Sequence, residues 1–284
     1  MSFRDKIKSG KFVVTMEVEP PKGNDTKDIL SRIAPLKGKV DAYNVTDMQS
    51  SVMRMSPWAM AVKLKENGFE PVMQLTCRDR NIIALQGDLL GISSFGIHNL
   101  LLLTGDSPAR GDHPNAKAVF DLDSIGLIEA AGALNKGVDL AGNSLDGNPD
   151  FVIGAALNPF SKDIDREIEK MEKKIGAGAV FFQTQPIFDV DRFHDFIKKV
   201  DVKNVTIMAG VIFVKSYRSA VYLNDKVEGI DIPPEYMKVL KSAKDFKETS
   251  FKMTKDIISS LESICGGVHI MPLGLYEEVL GVLG

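Results

Sequence analysis

Cysteine is scarce in this chain of 284 residues, which contains only Cys77 and Cys265. Two thiols cannot build a disulfide framework, and they are too few for a zinc finger or an iron–sulfur cluster within the chain. The four histidines lack the i,i+4 spacing or the cysteine partners of a metal site; they are His98, His113, His194 and His269. We therefore predict no bound metal, and we interpret both cysteines as buried thiols of a protein from the reducing cytoplasm.

An excess of charge of one sign is also missing. The 35 basic and 38 acidic residues are interspersed and give a net charge of -3, which argues against a nucleic-acid or anionic membrane partner. The opening residues, MSFRDKIKSGKFVV, contain no apolar core of a signal peptide. The most apolar interval, residues 89–105, is interrupted by Ser, His, Asn and Gly, and it predicts a helix end followed by a buried strand instead of a membrane span. We expect a cytoplasmic protein.

Familiar nucleophile and nucleotide-binding motifs are absent as well. The chain has no G-x-S-x-G nucleophile elbow. It has no Rossmann fingerprint, because the GAGAVF segment at Gly176 precedes an apolar run instead of following one. The phosphates of a nucleotide cofactor would therefore be held by loops and helix N-termini. One such cradle is NPFSKDID, residues 158–165, which precedes a predicted helix.

Eight short apolar runs, most of them rich in β-branched or aromatic residues, are the strongest structural signal. Most are nearly continuous in apolarity, which is typical of parallel strands covered on both faces. They span residues 12–19, 41–48, 71–77, 99–106, 151–158, 179–185, 205–214 and 267–274. Helical patterns separate them, the clearest from residue 161 to 176. This alternation predicts a (β/α)8 TIM barrel that occupies residues 1–284 as a single domain, with a doubly wound open sheet as the alternative.

Two connections are longer than a compact barrel needs. One follows the fourth run and contains SPARGDHPNAKAVFD, and the other follows the seventh run and is predicted to contain extra helices. Long loops in compact domains are more often functional than idle.

Polar residues recur near the C-terminal ends of six of the apolar runs. They are Glu17 and Glu19, Thr46 and Asp47, Thr76, Thr104 and Asp106, Asn158, and Gln183 and Gln185. The C-terminal end of a (β/α)8 barrel is its catalytic face, so we predict that these side chains meet at one mouth. The alternative is that each residue merely starts a turn, which is common for Asp and Asn and less so for Gln.

Glu17 and Glu19 raise a more specific question, because residues two apart on a strand project to the same side, about 6.5 to 7 Å apart. The pair is consistent with a general acid and its neighbour, with glycosidase-like catalysis, or with the solvated lip of a strand. Sugar sites usually contain aromatic platforms, and the single Trp of this chain disfavours that reading. The other two readings stay open on these residues alone.

Seven motifs in order resemble the methylenetetrahydrofolate reductase family over nearly the whole chain. They are MEVEPPKG, QLTCRD, LLLLTGDSP, NPFSKDI, KIGAGA, TQPIFD and GIDIPPEYM. Any one of them is weak, whereas seven collinear matches are specific. The resemblance implies a flavin-dependent (β/α)8 barrel of one-carbon metabolism and methionine biosynthesis. It also implies hydride transfer from reduced flavin to 5,10-methylenetetrahydrofolate, which gives 5-methyltetrahydrofolate.

The same resemblance implies roles for individual residues. Glu17 matches the family's general acid, which delivers a proton toward N10 of the folate and opens its imidazolidine ring. Asp106 matches a catalytic acidic residue near the flavin and the pterin. Gln185 matches an amide that contacts the folate, and Tyr217 falls where an aromatic residue packs on the folate in relatives. Glu19 inherits no such role, and we expect it at the substrate site, either as a modifier of Glu17 or as a lip residue.

Further positions match residues around the flavin ring and its phosphates in the family: Thr46, Thr76, Leu103, Thr104, Gly105, Asp106, Asn158 and Lys174. Asn158 and Thr104 stand where one branch of the family places cations, and Gln74 replaces a histidine of that branch. The resemblance implies FAD. Because the changes at Asn158 and Thr104 remove potential cations near a cofactor phosphate, FMN is the alternative. NADH or NADPH is the electron donor that the resemblance implies. These departures resemble the branch fused to homocysteine methyltransferases, although the barrel is expected to use all 284 residues and to leave no room for that domain.

Two alternative functions fit the same barrel. The first is a flavin-carrying subunit of a homo- or hetero-oligomer, reduced by a redox partner protein with metal centres, as in some anaerobic relatives. The second is a flavin-free methyltransferase that binds a pterin.

Overall fold

Eight parallel strands form a closed barrel, and each strand pairs with its neighbours along the chain. The computed structural model describes residues 1–227 and 229–283, so Glu228 and Gly284 of the predicted domain lie outside the described residues. The strands are β1 (Val13–Val18), β2 (Ala42–Val45), β3 (Pro71–Thr76), β4 (Asn99–Leu103), β5 (Val152–Leu157), β6 (Phe181–Pro186), β7 (Thr206–Ile212) and β8 (Gly267–Met271). β1 closes the barrel by pairing with β8, where Val13 lies opposite Gly267. The predicted TIM barrel is confirmed, and the open sheet is wrong.

Eleven α-helices occur among the described residues. They are α1 (Phe3–Ser9), α2 (Lys27–Ile33), α3 (Pro57–Glu66), α4 (Ile82–Ser94), α5 (Ser124–Asn135), α6 (Ile164–Ala177), α7 (Val190–Ile197), α8 (Tyr217–Lys226), α9 (Pro234–Ser242), α10 (Phe246–Leu261) and α11 (Val279–Leu283). Three of them, α8 to α10, lie between β7 and β8, which confirms the predicted helical connection. Within the described ranges, no helix has both the length and the apolarity needed to cross a bilayer.

Apolar side chains pack in two separate clusters. The larger cluster lies between the barrel and its helices and contains strand residues such as Met16, Leu102 and Phe182. The smaller one fills the N-terminal end of the barrel interior and contains Phe3, Val13, Ala42, Val72, Leu101, Val152, Phe181 and Met208. Phe3 of α1 packs its ring edge-on against Phe181, with 5.3 Å between the ring centroids. α1 therefore closes this end of the barrel.

A buried polar network lies inside the barrel, between the inner apolar cluster and the C-terminal end. The Asn44 amide donates to Gln183 Oε1 at 2.8 Å, and Gln183 Nε2 donates to Asn44 Oδ1 and to Thr15 Oγ1, both at 3.2 Å. Thr15 Oγ1 also lies 3.0 Å from Nδ1 of His269. Burial lowers the pKa of His269 to about 3, so this ring is neutral at physiological pH.

The strands end earlier than the apolar runs of the sequence. β2 ends at Val45 and β4 at Leu103, so that Thr46 and Thr104 lie just outside the strands. The hydroxyl of Thr104 accepts the N–H of Ser124 at the start of α5, so this side chain bonds to the next helix and not to the sheet. The predicted helix over residues 161–176 is α6, and Asp163 caps its N-terminus by accepting the N–H of Arg166.

Candidate active site

The C-terminal ends of the eight strands form one rim, which we call the mouth, because all strands run in the same direction. Glu17 of β1, Gln74 and Thr76 of β3 and Gln185 of β6 alternate into the barrel interior near this rim. Glu17, Gln74 and Thr76 are buried, whereas Gln185 is half-buried. Glu17, Thr76 and Gln185 belong to the polar strand ends that the sequence indicated, and they lie on strands that end at the mouth.

Glu17 is a buried carboxyl group at the mouth, and only 8% of the residue is exposed. Its pKa is raised to about 7, chiefly because burial disfavours the charged form and also because Glu19 is negatively charged nearby. A hydrogen bond from the Gln49 side chain opposes this rise by favouring the carboxylate. A carboxyl group with a pKa near neutrality can both hold and release a proton at neutral pH, which is the property of a general acid.

Glu19 lies beyond the end of β1, on the rim. Its carboxylate forms an ion pair with Arg54, with 2.7 Å between Oε1 and Nη2. Its backbone N–H donates to the hydroxyl of Tyr276 at 3.3 Å, and Tyr276 is itself buried after β8. The carboxylates of Glu17 and Glu19 add to the effect of burial and raise the pKa of Tyr276 to about 12. The two acids therefore differ: Glu17 is buried and has a raised pKa, whereas Glu19 is paired and partly exposed.

Asp47, just after β2, is hydrogen-bonded to the end of β3. Its side chain is fully buried and forms an ion pair with Arg80 at 2.8 Å. Thr76 donates two hydrogen bonds to Asp47 Oδ2, from its backbone N–H at 2.8 Å and from its hydroxyl at 2.9 Å. Arg80 also pairs with Asp88 of α4 at 2.9 Å. The hydroxyl of Thr76, which the sequence placed beside the flavin, is thus committed to Asp47 as a donor.

The loop after β2 is strained where it meets the mouth. Met48, Ser50 and Ser51 have positive φ angles of 48°, 54° and 58°, a region that residues other than Gly rarely adopt. The buried Arg78 holds this segment by donating to Met48 O at 3.3 Å and to Ser51 Oγ at 3.1 Å. Ser51 Oγ in turn donates to backbone carbonyls of the loop after β4. Gln49, the partner of Glu17, lies within this segment, so its position is fixed by its surroundings.

Gly105 lies where the loop after β4 comes close to the end of β3. It has a φ of +92°, and a Cβ atom at this position would lie 2.9 Å from Cβ of Thr76 and 3.3 Å from Cβ of Arg78. Only glycine fits this backbone conformation and this spacing. Leu103, two residues earlier, packs against the inner apolar cluster. Leu103, Thr104 and Gly105 therefore line one side of the mouth.

Asp106 follows on the rim, with its side chain about half exposed. Its carboxylate lies 3.6 Å from the guanidinium of Arg110, one turn along the chain. Asp112, in the same loop, accepts hydrogen bonds from Lys22 of the loop after β1 and from the backbone of Met53 after β2. These contacts join three loops at the mouth on the side where Asp106 lies.

Asn158 and Lys174 belong to the β5–α6 unit. The backbone N–H of Asn158 donates to Glu167 at 2.9 Å, and its side-chain oxygen accepts the N–H of Phe160 at 3.1 Å. Lys174 is buried on α6 and donates to the carbonyl of Ala156 at 2.8 Å. Burial lowers the pKa of Lys174. Asn158 therefore lies on the rim, whereas the Lys174 ammonium lies between α6 and β5.

Gln185 and Tyr217 approach the mouth from β6 and α8. Gln185 lies where the register between β6 and β7 shifts, an irregularity that redirects side chains and recurs beside active sites. Gly210 of β7 makes room for it, because a Cβ atom there would lie 2.8 Å from Gln185 O. Tyr217 is the first residue of α8, is half-buried and packs against the outer core.

A cavity of about 720 Å³ lies away from the mouth, at the opposite end of the barrel, where its lining includes Arg4 and Asp150. It is far from the carboxyl groups described above, and in TIM barrels the C-terminal face carries the chemistry. No group of three or more His, Cys, Asp or Glu side chains suited to a metal ion occurs in the described part of the chain. Cys77 is buried and Cys265 is partly exposed, and both are free thiols.

Comparison with known proteins identifies the family. The sequence model of the family described as Methylenetetrahydrofolate reductase matches residues 2–283. The chain belongs to the methylenetetrahydrofolate reductase family. Its similarity to Methylenetetrahydrofolate reductase 2 of Schizosaccharomyces pombe is 23% identity over 98% of this chain and 46% of that protein. Its similarity to 5,10-methylenetetrahydrofolate reductase of Pectobacterium carotovorum is 26% identity over 81% of this chain and 78% of that protein. The chain spans less than half the length of the two yeast relatives from Schizosaccharomyces pombe.

Solved structures show the same fold at low sequence identity. A protein from Clostridium thermocellum that binds two copies of 5-methyl-5,6,7,8-tetrahydrofolic acid superposes with a TM-score of 0.64 and 17% identity, over 95% of this chain and 91% of that chain. Oxaloacetate acetylhydrolase superposes with a TM-score of 0.56 and 11% identity, over 99% of this chain and 81% of that chain. These similarities support the barrel fold alone.

The mouth fits the flavin that the methylenetetrahydrofolate reductase family generally uses. The hydroxyl oxygen of Thr46 is buried there, and it has no hydrogen-bond partner among the residues described. Buried polar groups are rarely left unpaired, so this hydroxyl is suited to the polar edge of a ring system. Gln74 is a buried residue whose side chain alternates into the same interior. Gly105 has no side chain of its own where its backbone lies close to Thr76.

Several residues of this family member's site escaped the sequence analysis. Gln49, Arg54 and Tyr276 all contact or face the two acids of β1, and they come from loops without any periodic pattern. Asp47 was noticed as a polar strand end, but its pairing with Arg80 is a contact between loops that no local spacing predicts. The buried polar residues of the strand ends were the only local signal available.

Proposed function

We propose that this chain catalyses the reduction of 5,10-methylenetetrahydrofolate to 5-methyltetrahydrofolate at its mouth. The observation that carries the proposal is the buried Glu17, whose pKa is raised to about 7, at the C-terminal end of β1 in a chain of this family. A general acid works best when its pKa is close to the working pH. That two relatives are named for this reductase, and that a protein of the same fold binds 5-methyltetrahydrofolic acid, supports the choice of a folate.

Glu17 is proposed to deliver its proton to N10 of the folate. Protonation makes N10 a leaving group, so that the bond between N10 and the methylene carbon breaks and an iminium forms at N5. The iminium accepts a hydride at its carbon, which becomes the methyl group of the product. A bound flavin would supply this hydride. Glu19, held by Arg54, would not act as the acid, but its charge adds to burial in raising the pKa of Glu17.

The remaining residues are proposed to hold the folate and the flavin at the mouth. Gln185 would pair with the pterin through its amide, which offers both a donor and an acceptor. Tyr217 would pack on the folate, and Asp106 would hydrogen-bond the pterin from the rim. The flavin would be held by Thr46, Thr76, Leu103, Thr104, Gly105, Asp106, Asn158 and Lys174. FAD is the proposed cofactor with FMN as the alternative, and NADH or NADPH is the proposed donor.

The test follows the two half-reactions separately on the purified chain. A flavin absorption spectrum is expected, and a colourless protein that binds folate would instead support the pterin-binding methyltransferase. Anaerobic NADH or NADPH is expected to bleach the flavin, and methylenetetrahydrofolate to restore its colour. Bleaching that requires an added redox protein would support the alternative of a subunit within a hetero-oligomer.

The variant Glu17→Gln tests the proposed proton transfer to the folate separately from the reduction of the flavin. It is expected to keep flavin reduction and to slow reoxidation by methylenetetrahydrofolate by about 100-fold or more, because it removes the proton donor. Glu66→Gln removes an exposed carboxylate of α3 and is the matched control, expected to leave both steps unchanged. Equal loss of both half-reactions in Glu17→Gln would contradict the assigned role.

A further inference from the structure

Arg54 is held beside Glu19, just after the end of β1, by two contacts of its guanidinium. Nη2 pairs with Glu19 Oε1 at 2.7 Å, and Nη1 donates to the carbonyl of Pro20 at 3.2 Å. The side chain is mostly buried, with 22% of it exposed. Both partners belong to the segment that follows β1, so Arg54, in the loop between β2 and α3, holds this segment against its own loop.

The buried guanidinium is not fully satisfied. Nε of Arg54 is buried and has no hydrogen-bond partner in the ranges that the structure describes. An unpaired buried N–H costs free energy, and ion pairs of this kind contribute little to stability. Stability alone therefore does not account for the placement of Arg54, and its charge is the property that distinguishes it from an apolar residue here.

The groups around Glu17 determine what that charge does. Glu19 faces Glu17 from the continuation of β1, Gln49 donates to it from the loop after β2, and Tyr276 faces it from the segment after β8. Of these, Glu19 is the acid whose charge raises the pKa of Glu17, and Arg54 is the cation bound to it. The net charge next to Glu17 therefore depends on whether Arg54 neutralises Glu19.

We propose that Arg54 is a positioning residue of this site, which pairs with Glu19 and so sets the charge that the Glu17 carboxyl group faces. The proposal rests on the proposed function only for its catalytic consequence. Without Arg54, the unpaired Glu19 disfavours the carboxylate of Glu17, and the acid keeps its proton to higher pH. Without Glu19, Arg54 favours that carboxylate, and the acid loses its proton at lower pH. The two substitutions therefore act in opposite directions.

The titration of Glu17 can be measured directly on the full chain by infrared spectroscopy. The band of its protonated carboxyl group is assigned by its absence in Glu17→Gln. In Arg54→Gln we expect the midpoint of this band to move up by about 0.5 to 1 pH unit, and in Glu19→Gln to move down by a similar amount. The double variant of Arg54→Gln and Glu19→Gln has lost both charges, so its midpoint is expected near that of the wild type. Arg54→Lys keeps the cation, and its midpoint is also expected near that of the wild type.

Two further measurements connect the titration to function and to folding. The pH at which reoxidation by methylenetetrahydrofolate slows is expected to follow the same order as the infrared midpoints. Lys63→Gln, which removes a paired cation from the surface of α3, is the control and is expected to leave the infrared midpoint and the pH dependence of reoxidation unchanged. Thermal unfolding of each variant checks that it is folded.

A midpoint in Arg54→Gln at or below that of the wild type would overturn the proposal, as would the same direction of change in Arg54→Gln and Glu19→Gln. If the wild-type protein does not reduce the folate, the proposed function fails, while the infrared titration still decides whether Arg54 controls the charge at Glu17.

Discussion

Asp47 accepts two hydrogen bonds from Thr76, one from its backbone N–H and one from its hydroxyl. This pairing ties the end of β2 to the end of β3 and lies next to the mouth. Because Asp47 is fully buried and charged, its remaining partner, Arg80, is needed to stabilise it. The three residues form a rigid support under one side of the site.

Asp47→Ala is expected to lower the free energy of unfolding by about 3 kcal/mol, because it leaves Arg80 largely buried with one partner fewer. Urea denaturation followed by circular dichroism measures the loss. Glu66→Ala, which removes an exposed carboxylate, is expected to stay within about 0.5 kcal/mol of the wild type. A loss of similar size in both variants would show that Asp47 does not support the mouth.

Glu17→Gln is expected to stabilise the protein at alkaline pH while it abolishes folate reduction. The pKa of Glu17 rises from an ordinary value of 4.5 to about 7 on folding, so the folded state binds the proton more tightly than the unfolded state. Wild-type stability therefore falls as pH rises from 4.5 to 7, by up to about 3 kcal/mol from this group. The difference between Glu17→Gln and the wild type in urea should be near zero at pH 4 and largest at pH 8. A difference independent of pH would contradict the raised pKa.

Gly105→Ala tests the close approach of the loop after β4. The substitution places a methyl group 2.9 Å from Cβ of Thr76 and also strains the positive φ angle. Gly142→Ala is the matched control, because Gly142 has a φ of +86° and no atom within 4 Å of the added Cβ. Both variants are expected to lose about 1 kcal/mol from backbone strain. Gly105→Ala should lose more and should also weaken flavin binding, measured by the flavin content of the purified protein. Equal effects of the two substitutions would exclude a role for the close approach.

Gln183→Leu tests the polar network inside the barrel. The change leaves the buried Asn44 amide without its hydrogen bonds, at an expected cost of about 2 to 3 kcal/mol. The double variant Gln183→Leu with Asn44→Leu should be less destabilised than the sum of the single variants, because no unpaired amide remains. Thermal unfolding of the four proteins gives this coupling. Strict additivity would show that the two amides do not depend on each other.

The eight strands could be predicted because buried parallel strands appear in the sequence as nearly continuous apolar runs. The inward direction of Glu17 follows from the same alternation that places Thr15 inside the barrel. The strand ends were less predictable, since Thr46 and Thr104 extend the apolar runs, but the Thr104 hydroxyl bonds to the start of α5 and the Thr46 hydroxyl to no described residue.

The charge arrangement at the mouth could not be predicted in this way. Arg54, in the loop after β2, meets Glu19, in the loop after β1, and Arg80, in the loop after β3, meets Asp47, which follows β2. Contacts of this kind depend on the path of each loop, and the positive φ angles at Met48 and Ser51 give no local sequence signal. The resemblance to the family assigned Glu17 its role, and the three-dimensional structure added the residues that surround it.

The closure of the barrel by Phe3 has a consequence for how Glu17 exchanges its proton. Below Glu17 lie a polar network without charged side chains and then an apolar plug made by Phe3 and Phe181. With the N-terminal end filled in this way, we expect water to reach Glu17 from the mouth. A ligand bound over Glu17 would shield the acid from solvent. Under the proposed function, the acid would protonate that ligand and would regain a proton from water after the ligand has left.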